Sequence, residues 1–206
     1  MLNHEDVFER AWAEPGNTRF TLPSLDVNRV LAERYRLDEP LVFTRTMLWD
    51  NEVRKARRPD LFIPFVVEAG SAAAWGGDDV FVRRSRQRRW LNPDSYGLVL
   101  ERTALDHVRQ AVTFIGTAEC DDEHGRQLHA DADQPIFHVE HAVSGEEDRP
   151  VNLWRIVHLT SAPDERLTEV FGRIAESPWL PEFVEIYIRD VLGRNLDRKL
   201  NTADTR

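Results

Sequence analysis

The chain has a single cysteine, Cys120, among its 206 residues, so it forms no intrachain disulfide and no cysteine-rich zinc site. A lone thiol on a strand is ordinarily a small core residue. Lysine is nearly as scarce: of 27 basic residues only Lys55 and Lys199 are lysine, a skew of the kind a GC-rich coding genome produces. Long apolar runs are missing as well. The most apolar stretch, Leu61 to Trp75, is broken by Pro64, Glu68 and Gly70, so it cannot supply the ~20 uninterrupted residues of a membrane span. Residues 1–14 carry Asp and Glu throughout and lack a basic start followed by an apolar run. No secretory signal is therefore expected, and the expected location is the cytoplasm. There is no Gly-rich phosphate loop, no Walker lysine, no helical pair of zinc-binding histidines and no nucleophile-elbow serine. Nucleotide chemistry and elbow-type hydrolysis drop out. The net charge of −9 argues against a dedicated nucleic-acid binder, because a phosphate backbone rewards positive charge over the whole contact face.

What remains is an ordinary globular composition, 41% hydrophobic and 31% charged, in a chain long enough to enclose one core. Residues 1–22 are polar around Pro15, Gly16 and Asn17 and read as an N-terminal arm; residues 23–200 read as a single α+β domain, and 201–206 as a polar tail. After Pro23 and Ser24 the three-and-four spacing of Val27, Val30 and Leu31 predicts a short surface helix with Ser24 as its cap. Leu41 to Trp49 is β-branched and aromatic and predicts a first strand. Asp50 to Arg58 is charged, with room for a helical turn or two, and Leu61 to Val67 fits helix or strand equally.

From Val80 the pattern is a series of strands, about Val80–Leu91, Gly97–Leu105, Arg109–Glu119, Gln127–Val143 and Val151–Thr160, separated by good turn formers. Short links imply antiparallel neighbours. Asp131, Asp133 and Pro135 interrupt the fourth of these and imply a bulge or an edge. Two helices follow: one after Pro163, with Leu167, Val170, Phe171 and Ile174 on one face, and a longer one carrying Val184, Tyr187, Ile188, Val191, Leu192 and Leu196.

A leading strand, a helical connection, about five antiparallel strands and a long C-terminal amphipathic helix resemble, in order, the helix-grip fold of the START-like superfamily, which includes polyketide cyclases and lipid carriers. The resemblance spans roughly residues 41–200; Asn152–Thr160 running into Phe183–Leu200 look like its last strand and gripping helix. It implies a curved antiparallel sheet of about six to seven strands around that helix. A hotdog fold, with Leu61–Trp75 as its buried helix, is the alternative.

Alternation along the last strands supplies the candidate site. His138 and Glu140 share one face of Ile136–Val143, opposite Phe137, Val139 and His141; Trp154, Ile156 and His158 share one face of the next strand, opposite Leu153, Arg155 and Val157. If the His138 face meets the His158 face, then His138, Glu140 and His158 form an acid–base group beside Trp154. Ordinary cross-strand pairing produces the same pattern without function. Tyr187 on the final helix points to any cavity that helix covers, and Arg155 and Arg86 are candidate ligand-binding cations. Arg86 belongs to a row of Arg83, Arg84, Arg86, Arg88 and Arg89 that suits a phosphate, as in an acyl-carrier partner, or pairs with Glu101 across the sheet. His129, Asp131 and Asp133 match no specific metal spacing, and neither metal nor cofactor is expected.

Three functions fit this pattern. One is a cofactor-independent cyclase, aromatase or dehydratase acting on a hydrophobic carbonyl compound such as a polyketide, with a homodimer compatible. The second is a carrier of a hydrophobic small-molecule ligand, and the third an interaction protein with a filled interior. The hotdog alternative would imply an acyl thioesterase or dehydratase.

Overall fold

A computed structural model describes residues 3–199. Helix α1 (His4–Ala13) is capped by Asn3, whose side chain accepts from the Asp6 amide. It leads into strand β1 (Thr18–Asp26), helix α2 (Val27–Arg34) and a short strand β2 (Tyr35–Leu37). Helix α3 (Arg45–Arg57) and the single turn α4 (Pro59–Phe62) precede strands β3 (Ala73–Gly76), β4 (Val80–Arg89), β5 (Asn92–Asp106) and β6 (Ala111–Thr117). A small hairpin, β7 (Glu119–Asp121) with β8 (Gln127–His129), interrupts the meander before β9 (Phe137–Glu146) and β10 (Arg149–His158). Helices α5 (Glu165–Ala175) and α6 (Glu182–Ile186) follow; α6 continues as a π-helical turn, Tyr187–Val191, and the described chain ends near β11 (Leu196–Arg198).

Seven strands form one antiparallel sheet in the order β1, β10, β9, β6, β5, β4, β3. The meander runs from one edge to β10, and β1 closes the other edge beside the last strand. Both faces are covered. On the inner face, Phe114, Val139, Val143, Ile156 and Phe81 pack with α2, α3, α5 and α6 in the main core. On the outer face, α1 lays Phe8, Val7, Ala11 and Trp12 over Ile115 and Val157. Ile115 and Val157 alternate with Phe114 and Ile156, so strand periodicity alone sends neighbours to opposite cores.

The curved antiparallel sheet and C-terminal helix agree with the sequence reading, and several boundaries do not. The expected N-terminal arm is, from His4 on, part of the folded domain: it supplies α1, with Phe8 fully buried, and much of an edge strand. Pro23 and Ser24 lie in β1, at a register shift between Leu22 and Leu25; an edge strand tolerates a residue that lacks an amide hydrogen. The cap of α2 is Asp26, which accepts from the Arg29 amide at 3.0 Å, not Ser24.

Leu41–Trp49 is not a strand. Thr44 caps a helix there, accepting from the Met47 amide at 3.0 Å, and the leading strand of the sheet is β1. The buried residues of α3 are Leu48, Trp49, Asn51, Glu52, Lys55 and Ala56, a helical spacing hidden from a hydrophobicity reading because three of the six are polar. The segment a hotdog fold would use as its central helix is one turn, a loop and β3. The gripping helix is also shorter than expected. Gly193, at φ +64°, takes the left-handed conformation that ends a helix, and Leu196 is then buried from β11, which pairs with β2. The expected tail 201–206 lies outside the described residues.

Candidate functional site

The register of β9 and β10 decides the expected histidine site. Val157 stands opposite His138, and His158 opposite Phe137, so the two histidines lie on opposite faces of the sheet. The expected grouping of His138, Glu140 and His158 is therefore split. Its premise, that the His138 face meets the His158 face, fails by one residue of register.

His138 and Glu140 are buried on the outer face. Arg155 reaches Glu140 Oε1 from Nη2 at 2.8 Å and Glu9 of α1 at 2.5 Å, and its guanidinium lies 4.7 Å over the Phe8 ring. Arg155 thus fastens α1 to the sheet. Arg86 is exposed and pairs with Glu68 at 2.5 Å. Of the arginine row, Arg83 does pair with Glu101, but inside the fold. Arg89 pairs with Asp131 and, at 3.2 Å, with Asp133, so the two aspartates already hold a cation.

Trp154, Tyr187 and His158 do face the inner core. Tyr187 is buried and donates from its hydroxyl to Asp50 Oδ2 of α3 at 2.8 Å, the partner its position required. Burial and that hydrogen bond raise its pKa above the ordinary phenol range. His158 is 1% exposed, neither ring nitrogen has a hydrogen-bond partner, and Phe20, Phe137 and Phe171 surround the ring. Burial pulls its pKa down to about 4, so it is neutral.

The polar centre of the inner face comes from Asp50–Arg58, the charged segment given room for a helical turn or two. Glu52 is 0% and Lys55 2% exposed, and α3 aims both at the sheet. Lys55 Nζ lies 2.6 Å from Glu52 Oε2 and 2.9 Å from His141 Nδ1, 3.6 Å from the centroid of the Phe183 ring and 5.8 Å from that of Trp154. Asn152 donates to the other oxygen, Glu52 Oε1, at 3.0 Å. Burial pushes Glu52 upward, but the Lys55 charge and His141 outweigh it and hold the carboxyl at about 2. Burial lowers Lys55 to about 8 against the pull of Glu52. Burial, then the Lys55 charge, lowers His141 to about 4.

These directions set the charges. Lys55 is mainly protonated at neutral pH and donates to Glu52; His141 Nδ1 lies 2.9 Å from Lys55 Nζ and 3.2 Å from Glu52 Oε2, and the neutral tautomer that accepts from the ammonium carries its proton on Nε2. Lys55 and Glu52 are sealed, whereas the His141 side chain keeps 18% of its surface and Trp154 is partly buried. The two rings lie 5.3 Å apart. An imidazole N–H and an indole are thus the open surface in front of a buried ammonium–carboxylate pair. One signal could have found it: Leu48, Glu52, Lys55 and Ala56 fall on one helical face, and His141 alternates to the same side as Val139.

A second buried pair adjoins the first. Arg83 Nε meets Glu101 Oε2 at 2.6 Å, Arg83 Nη1 donates to the Ala56 carbonyl at 2.9 Å, and its guanidinium stacks 4.1 Å over Phe114. Phe114 in turn meets His141 edge-on at 5.6 Å.

The strand order, with β1 beside β10 and a C-terminal helix against the inner face, is a helix-grip fold. No family model matches the chain, and no curated protein matches its sequence. Among solved structures, the Zhui aromatase/cyclase from Streptomyces sp. R1128 is similar with a TM-score of 0.51 at 14% identity, covering 84% of this chain and 94% of that one. Ara h 8.0201 has a TM-score of 0.49 at 11% identity, covering 83% and 95%. Norcoclaurine synthase from Thalictrum flavum, in complex with dopamine and hydroxybenzaldehyde, has 0.49 at 12%, covering 86% and 87%. Likeness at these identities is likeness of fold. Among the described residues no helix is long and apolar enough to cross a membrane.

Proposed function

We propose that the protein binds a hydrophobic, carbonyl-containing small molecule against the inner face of the sheet and moves protons on it, as a cyclase or dehydratase does. The observation that carries this reading is the partly open His141–Trp154 surface backed by Lys55 and Glu52. The indole and Phe183 offer apolar contact to a flat ligand body. His141 Nε2–H donates to the ligand's carbonyl oxygen, whose negative charge grows as an adjacent carbon loses a proton. As Nε2 hands its proton to that oxygen, Nδ1 takes one from Lys55, and the resulting amine, beside the ionised Glu52, takes up the proton that the adjacent carbon gives up. The imidazole therefore passes a proton without itself holding two. A cyclase role is also in keeping with the aromatase/cyclase of similar fold.

Native mass spectrometry of freshly purified protein tests the binding step. The expected result is a co-purified apolar molecule, and titration of stripped protein with aromatic ketones should quench tryptophan emission. Protein that carries no ligand and shows no emission change with any such compound would overturn the proposal. His141→Gln tests the chemistry: turnover of a bound ketone should fall about a hundredfold with affinity retained.

A further inference from the structure

The chain places one of its two lysines in the middle of the inner face and uses arginine for the other buried cation. An ion pair alone does not need an amine, since Arg83 and Glu101 make one beside it. Chemically, an amine differs from a guanidinium in that it loses a proton within reach of neutral pH and then has a lone pair. Lys55 Nζ meets the conditions for using that lone pair. A carboxylate at 2.6 Å and an imidazole at 2.9 Å can each take a proton from it. Two aromatic faces, Phe183 and Trp154, flank it, and the surface left open next to it belongs to His141 and Trp154.

We propose that Lys55 captures the ligand covalently, as a reversible imine with an aldehyde or ketone attached to a flat hydrophobic body. This deepens the binding reading above and rests on it: Lys55 is 2% exposed at rest, so capture requires its flexible stem to turn Nζ from the Glu52–His141 pair to the His141–Trp154 opening, where the carbonyl leaves His141 Nε2 to meet it. The ammonium gives a proton to Glu52 or His141, the freed lone pair forms a C–N bond to the carbonyl carbon, and the C=O electron pair moves to oxygen. Oxygen takes that proton and then a second from nitrogen, relayed by the same two groups, and leaves as water. Ammonium plus carbonyl becomes protonated imine plus water, with charge and atoms conserved and no redox partner needed. The positive charge stays at the same place, still paired with Glu52. An iminium next to the carbonyl's α-carbon makes loss of an α-proton easier, which is the step a cyclase or dehydratase needs.

Nζ faces Glu52 and His141, and Arg83 acts on it through space. Its lowered pKa, about 8, leaves on the order of a hundredfold more free amine at pH 7.5 than an ordinary lysine has. The competitor, Lys199, donates to the Ala32 carbonyl at 2.7 Å.

The test is reductive trapping of the full chain. Protein is incubated with benzaldehyde and cyanoborohydride at pH 7.5, and the benzylated positions are read by peptide mapping. Lys55 is expected to gain one benzyl group at least about tenfold faster than Lys199. Lys55→Met and Lys55→Arg should lose that label while Lys199 still reacts slowly and the chain's α-amine, itself rich in free amine at this pH, reacts as in wild type. Labelling confined to Lys199 and the α-amine in folded wild type overturns the imine. Benzyl alcohol, which cannot form an imine, separates the two levels: quenching of tryptophan emission by the alcohol without trapping by the aldehyde sinks the imine and leaves the binding reading. Neither quenching nor trapping sinks both.

Discussion

Two buried cations sit side by side on the inner face, and they are built differently. Arg83 is held by Glu101, by the Ala56 carbonyl and by the Phe114 ring, a setting that satisfies a guanidinium on several sides at once. Lys55 is held by Glu52 and His141, and both of those partners are themselves proton carriers. One cluster is a fixed charge and the other a network through which protons can be redistributed. The fixed pair fits a structural brace between β4, β5 and the end of α3. The proton-carrying one fits a site.

Removing the acid from each pair is the sharpest way to break this comparison. Glu101→Gln leaves a guanidinium that cannot discharge, and should cost about 3–5 kcal/mol of stability. Glu52→Gln leaves an amine that can. Without Glu52 the Lys55 pKa falls further below about 8, so the variant escapes by losing the proton, at about 2 kcal/mol. The sign with pH follows. In Glu52→Gln the unfolded chain binds more protons than the folded one between the lowered pKa and the ordinary lysine value, so stability rises with pH in that window. Its deficit against wild type should narrow up to about pH 8, where wild-type Lys55 begins to titrate, whereas the Glu101→Gln deficit should stay flat. Urea unfolding at several pH values reads both; equal, pH-independent deficits would erase the distinction.

Acid separates the clusters next. His141 and His158 are each lowered from 6.5 to about 4 by burial first, so between those values the unfolded chain binds more protons than the folded one. Stability is fully present above pH 6.5 and is lost as pH falls toward about 4, by up to about 3 kcal/mol per histidine. His158→Phe fits the surrounding rings of Phe20, Phe137 and Phe171 and should remove that residue's share of the acid loss. An unchanged pH profile in this variant would mean that His158 does not titrate in this window.

The reasons some of this was readable in the sequence are physical. The strand series, the helix after Pro163 and the helix-grip order were legible because alternation and turn residues record a half-buried sheet directly. His158 and Trp154 were correctly assigned to one face for the same reason. Which face of β9 they meet was not legible, because register is set by pairing partners, and one residue of slip exchanges His138 for His141. The strand β1 was hidden by Pro23, which an edge position permits. The site on α3 was hidden by its own chemistry. Buried Glu52 and Lys55 neutralise each other at a spacing of three residues, which in sequence is the signature of an exposed helix.

The smallest effect sharpens how the gripping helix meets the site. Tyr187 opens the π-helical turn and donates to Asp50 at 2.8 Å, and Asp50 also pairs with Arg54 at 2.7 Å. Asp50 keeps this second partner when the hydroxyl is removed, so Tyr187→Phe leaves no unpaired buried charge. Its expected cost is about 1 kcal/mol, the ordinary net value of one hydrogen bond. If the bond also sets the pitch of α3, and with it the distance from Lys55 to His141, the variant should slow benzaldehyde trapping at Lys55 several-fold at nearly constant stability. Unaltered trapping would place Tyr187 in packing against Phe43, whose ring it meets at 5.7 Å, and would leave the position of Lys55 to Glu52 and the sheet alone.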